Sequence, residues 1–176
     1  MTNPTYNTIQ QVFAMNLFSN FASNKIGTVQ QLTKDLSTIL SKLLNNTQMQ
    51  SYIGNWQVVW GPVVGSYGKD EKRGISSNAL FVATNNQGIY VVATAGTNPI
   101  SSYGWLTEDF DVRTMQPWDS NNEAPDAPRI ANGTQIGLNW LLKMVDQSNR
   151  TLMQFLTDTF QNVNTPQQLV VTGHSL

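Results

Sequence analysis

The residues best suited to chemistry lie at the C-terminal end of the sequence, where Gln168-Leu169-Val170-Val171-Thr172 leads into Gly173-His174-Ser175-Leu176. A serine hydroxyl is a weak nucleophile unless it is held clear of the backbone, beside a base and facing preorganised amide donors. A tight turn from a strand into a helix, with small residues two places before and after the serine, gives that exposure. Here the β-branched run supplies the strand, Gly173 the first small residue and Ser175 the nucleophile. The second glycine of G-x-S-x-G would fall at 177, one place past the sequence in hand. A bare Gly-x-Ser triplet also suits an ordinary strand-end turn, and it is the preceding β-run that favours the nucleophile.

His174 is the sole histidine of the chain. It adjoins the serine in sequence, but a neighbour at such a turn projects away from the serine Oγ, so it reads as structural and not as the base. Where serine nucleophiles sit on turns of this kind, the acid and then the histidine follow later in the chain, so both are expected beyond Leu176. Asp109 and Asp111 precede the serine and read as solvated charge or as contacts within a loop.

The composition narrows the alternatives. The chain has 176 residues, 40% of them hydrophobic, enough for one core, and its 10 basic and 11 acidic residues give a formal net charge of -1. With only 12% charged residues there is no basic field to hold a phosphate backbone, so nucleic acid is not an expected partner. The absence of cysteine excludes disulfides and thiolate metal sites, and one histidine leaves no histidine-based metal site; no cofactor or metal is expected. Met1-Thr2-Asn3-Pro4 opens without a basic stretch followed by an apolar run, so neither a signal peptide nor a membrane span is read there. A surface rich in Asn, Gln, Ser and Thr suits a cytosolic and an exported protein equally.

The elements that must position the serine follow from periodicity. Val12, Phe13, Leu17, Phe18 and Phe21, then Leu32, Leu36, Ile39, Leu40, Leu43 and Leu44, predict two amphipathic helices packed on the main core, with Gly27 and Thr28 as stop and start. Trp56 to Trp60, Asn78 to Thr84 and Ile89 to Thr94 predict strands, the last two joined in a hairpin with its turn at Asn86 to Gly88. Residues 96–129 lose periodicity and collect Pro99, Pro117, Pro125 and Pro128, which predicts a long loop with a short helical piece. Helices are expected around Gly133 to Gln147 and Arg150 to Val163, stopped by Thr165-Pro166, and then Gln168 to Thr172 as a buried parallel strand.

Leu169 to Leu176 resembles the nucleophile turn of the class 3 (fungal-type) lipase family, which usually continues with two glycines. Upstream, Tyr90-Val91-Val92-Ala93-Thr94-Ala95-Gly96-Thr97-Asn98 resembles the family strand ending in an arginine-glycine-threonine or -serine turn. Trp105-Leu106-Thr107-Glu108-Asp109-Phe110 resembles the stretch that follows it. The resemblance spans roughly Tyr90 to Leu176. Ala95 stands where the family commonly has arginine, which leaves open how that turn is braced. Ile130-Ala131-Asn132-Gly133-Thr134 stands where a histidine-x-glycine-phenylalanine often occurs, keeping only the glycine.

The resemblance implies an α/β-hydrolase fold, a mostly parallel sheet flanked by helices, of which this is the N-terminal portion with an N-terminal helical extension. The division would be a helical segment at 1–50 and an incomplete lipase-like domain at 51–176. It implies a serine carboxylic-ester hydrolase, a triacylglycerol lipase or esterase, in which Ser175 is acylated and the N–H groups of Thr97 and Leu176 form the oxyanion hole, with Gly173 and His174 shaping the turn. Tyr103, Trp105 and Phe110 would belong to a lid over an acyl-binding groove, in transient contact with a lipid interface; packing on the core is the other reading of Trp105. The expected partners are an ester or lipid substrate and the remaining C-terminal part of the same protein. The alternative is a non-catalytic relative or fragment serving as an interaction module.

Overall fold

The computed structural model describes residues 4–22, 25–67, 74–96, 114–118, 124, 126–161 and 167–173, with the side chains of 66, 67 and 74–77 left aside. Helix α1 (Thr8–Ser19) starts at Asn7, whose side chain accepts from the Gln10 N–H while the Gln10 side chain accepts from the Asn7 N–H, a reciprocal cap. A short 3-10 turn, Asn20–Ala22, and the two-residue strand β1 (Ile26–Gly27) lead to α2 (Val29–Leu44), capped by the Thr28 hydroxyl on the Gln31 N–H. Leu32, Leu36, Leu40 and Leu44 are buried at a spacing of four, the row that an α-helix places along one face.

The buried face of α1 only partly matches the one its apolar residues predict: Phe18 is buried and Val12 packs against the core, but the rest of the row is not buried. Gln11, Met15, Asn16, Phe18 and Ser19 are turned inward, whereas Ile9, Phe13, Leu17 and Phe21 are exposed. Apolar side chains occur all round this helix, so periodicity alone does not choose a face; the sheet beneath selects a row that includes two polar side chains with partners to meet. A further helix unmarked by periodicity, α3 (Thr47–Ile53), is capped by Asn46 and held to the sheet by the Trp56 indole N–H, which donates to the Ile53 carbonyl at 2.7 Å.

Strands β2 (Trp56–Tyr67), β3 (Gly74–Asn85) and β4 (Ile89–Thr94) form an antiparallel meander. The β3–β4 turn is where the sequence predicts it: the Asn85 side chain accepts from the N–H groups of Gln87 and Ile89, and Gly88 takes φ +77°. β2 runs well past Trp60. Its register on β3 shifts between Trp60 and Val63, and Gly61 at the shift has φ +77°, so the strand passes through Gly61-Pro62 as a bulge. Proline is accommodated because β2 pairs with β3 alone among the described strands.

Two short strands, β5 (Met115–Pro117) and β6 (Arg129–Ala131), pair within and at the end of the stretch predicted as a long loop with a short helical piece. The helices α4 (Asn132–Lys143) and α5 (Leu152–Phe160) then carry the chain to β7 (Gln168–Gly173), which lies parallel beside β4. The sheet is therefore mixed. β4–β7 is the one parallel pairing among the described strands, against the expectation of a mostly parallel sheet, because β2, β3 and β4 follow one another closely in sequence and only the helical crossover returns the chain in the same direction.

Alternation along the strands sends Ala79, Phe81, Ala83, Val91 and Ala93 to a core with α1 and α2, and Leu80, Val82 and Val92 to a second with Leu152 and Phe155 of α5. Helices thus cover both faces of an α/β sheet. β7 corrects a second expectation: it is parallel but not buried, with Leu169 42% and Val171 71% exposed, because it has β4 as its only neighbour among the described strands.

Candidate active site

The parallel register brings together the two segments that the sequence marks for chemistry. Ile89 to Thr94 pair in order with Gln168 to Gly173, so Thr94 and Gly173 lie opposite each other at the C-terminal ends of β4 and β7. In open α/β sheets the carboxyl ends of the strands are where ligands bind. Among the described residues a Cβ added to Gly173 would meet only the Thr94 Cβ, at an ordinary 3.9 Å, so the described surroundings do not themselves demand glycine there. Of the other residues marked by the sequence, Ser175, His174 and Leu176, together with Thr97, Tyr103 and Trp105, and likewise Asp109, Phe110 and Asp111, lie outside the described residues.

The turn that leaves β4 is described as far as Gly96, and three of its polar backbone groups have partners. The Ala95 N–H donates to the Ala79 carbonyl at 2.8 Å. The Asn16 side-chain amide donates to the Thr94 carbonyl at 3.1 Å, and the Gly96 N–H donates to the Asn20 side-chain oxygen at 3.0 Å. Asn16 is itself buried, 3% exposed. Its own backbone carbonyl, near the end of α1, accepts from the Ser19 hydroxyl at 2.6 Å and from the Asn20 side-chain amide at 3.1 Å.

Asn16 and Asn20 were not marked by the sequence, where polar residues of an amphipathic helix read as its solvent face. The available signal was position: Asn16 lies one place after Met15 and three before Ser19, within the row that the fold buries.

The loop between α4 and α5 is also built around a side chain that the sequence did not mark. The Asp146 carboxylate accepts from the N–H groups of Ser148 and Arg150, both at 2.9 Å, and from the Arg150 guanidinium at 3.1 Å. The Arg150 carbonyl in turn accepts from the Trp60 indole at 2.9 Å, which ties this loop to the sheet. Nearby, Val63, Val64 and Gly65 of β2 line a cleft of about 480 Å³ together with Val29, Trp140 and Met144. No described helix is long and apolar enough to cross a membrane.

No family model and no curated protein matches the chain. Among solved structures it is similar to M37 lipase, with a TM-score of 0.75 and 27% identity, over 96% of this chain and 50% of that one. The chain spans half the length of that lipase. This likeness, together with the mixed sheet and its flanking helices, supports a relationship to lipases and, at that coarse level, a lipase-like hydrolase with an α/β fold.

Proposed function

We propose that the protein of which this chain forms part is a serine carboxylic-ester hydrolase of the α/β-hydrolase type, with Ser175 as nucleophile and acylglycerols or related esters as substrates. The observation that carries this reading is the pairing of Thr94 with Gly173. Thr97 follows Thr94 by three residues and Ser175 follows Gly173 by two. A residue spans at most about 3.6 Å, so neither can stray more than roughly 11 Å from the paired strand ends.

In the proposed reaction Ser175 Oγ attacks the ester carbonyl carbon while a histidine takes its proton. The carbonyl oxygen becomes an oxyanion facing the N–H groups of Thr97 and Leu176. Collapse expels the alcohol, which leaves with that proton, and water then releases the acid from Ser175 by the same route. The histidine and its acid are assigned to chain beyond Leu176, as the order of such triads requires. The likeness to M37 lipase, a chain of about twice this span, supports that assignment.

The test is intact-mass analysis of the full-length protein before and after a fluorophosphonate probe, with the labelled peptide mapped, alongside hydrolysis of p-nitrophenyl esters of graded chain length and emulsified triacylglycerol. Labelling at Ser175 and a loss on the order of 10⁶-fold in kcat for Ser175→Ala are expected. An unlabelled Ser175 in a protein that hydrolyses no ester overturns the reading.

A further inference from the structure

β2 is the outermost described strand on the side of β3 away from β4 and β7, and the cleft at Val63, Val64 and Gly65 lies along its unpaired edge. Successive residues there point to opposite faces of the sheet, Val63 to the core with α5 and Val64 to the core with α1 and α2. The cleft therefore reaches round the edge of β2. Val29 and Thr33 of α2 line one side, and Trp140, Lys143 and Met144 at the end of α4 line the other. A Cβ on Gly65 would overlap the Trp140 ring and the Met144 methyl, so it is glycine that lets the indole come this close to the strand.

The wall is apolar and the rim is one-sided in charge. Asp146 also lines the cleft, but its carboxylate is already engaged by the Ser148 and Arg150 N–H groups and the Arg150 guanidinium. Lys143 and Gln147 lie exposed on the rim, and among the described residues their side chains have no hydrogen bond or ion pair. Both side chains donate, and Lys143 adds a positive charge that nothing here balances.

We propose that this cleft binds an alkyl carboxylate, a fatty-acid anion of medium chain length, with its tail on Val29, Val64, Trp140 and Met144 and its carboxylate on Lys143 and Gln147. An apolar slot with one unmatched cation at its rim is complementary to an apolar chain that ends in one anion. The volume of about 480 Å³ falls within the roughly 300–1,000 Å³ of small-molecule sites. An extended peptide, the other occupant suited to a strand edge, finds too little backbone to pair with. The register of β2 shifts between Trp60 and Val63 and again between Gly65 and Ser66, and Pro62 has no N–H to give. The assignment draws on the cleft alone and does not depend on Ser175 being a nucleophile.

Equilibrium dialysis of decanoate against the full-length protein, below the micelle concentration, measures the affinity, with decanol and decylammonium as chain-matched controls and Tm followed for every variant. Decanoate is expected to bind more tightly than either control. Lys143→Glu reverses one exposed charge and is expected to weaken decanoate by about tenfold while leaving decanol within about twofold. Val29→Trp fills the cleft from an exposed position and is expected to remove this site without lowering Tm. Thr33→Trp fills the same space and replaces it if Val29→Trp does not fold. Decanoate held at the candidate active site would survive these substitutions, because β2 and β4 flank β3 on opposite sides.

A decanoate affinity that changes less than about threefold in either Lys143→Glu or the folded cleft-filling variant overturns the proposal. Decylammonium binding as tightly as decanoate does the same. A dimer of the unliganded protein that Val29→Trp dissociates, seen by sedimentation, gives the cleft to a second copy and also overturns it. None of these outcomes bears on Ser175, whose labelling is read separately.

Discussion

Thr94 and Gly173 face each other across β4 and β7, and a Cβ built on Gly173 would sit 3.9 Å from the Thr94 Cβ. That separation is within the range of about 3.5–4.5 Å at which two cysteines close a disulfide. These 176 residues have no cysteine, so within them the double variant Thr94→Cys/Gly173→Cys carries a single reporter pair. It is expected to oxidise within one molecule. Intact mass after alkylation in denaturant checks this: an unalkylated species two hydrogens lighter supports the register, and two alkyl groups on an oxidised sample refute it.

Asp146 organises the loop that ties α4 and α5 to Trp60, because its carboxylate serves two backbone N–H groups and a guanidinium. Asp146→Ala leaves those donors without their acceptor and is expected to cost about 1–3 kcal/mol. Arg150→Ala removes a partner whose side chain is 40% exposed and should cost less than about 1 kcal/mol. Urea unfolding followed by tryptophan fluorescence ranks the two, and the reverse order would contradict the proposed hierarchy.

The two sides of α1 should differ sharply in sensitivity. Met15 is fully buried in the core shared with β3 and β4, so Met15→Ala is expected to cost about 2–5 kcal/mol. Ile9 is 81% exposed, and Ile9→Ala should stay within about 0.5 kcal/mol. Paired thermal melts measure both. Comparable losses at the two positions would mean that α1 does not bury the face that carries Met15.

How far the sequence is legible depends on how many local signals coincide. β4 is read to the residue, because a β-branched run abuts a turn in which Asn85 and Gly88 each have a specific task. β2 is read only to Trp60, since Gly61-Pro62 looks like a terminator; the bulge and the free side of β2 that let it continue are tertiary facts. The face of α1 is read only in part, Phe18 and Val12 correctly and Phe13 and Leu17 not, for want of a clear polar side. At the candidate site, the two strands and the Gly-x-Ser motif are visible in the sequence, but the pairing of β4 with β7 and the asparagines that hold the turn after β4 are not. Their partners lie 78 and 76 residues away, and no local pattern encodes that separation.

The same separation has a consequence for synthesis. A ribosome adding about 5–20 residues per second delivers Thr94 roughly 4–16 s after Asn16 has left the catalytic centre of translation. Through that interval α1 carries amide groups destined for burial with no backbone to receive them, alongside exposed phenylalanines that invite other contacts. Docking this helix closes a long loop and must await β4, so the nascent chain passes through a vulnerable period with the segment that holds this turn made but unplaced.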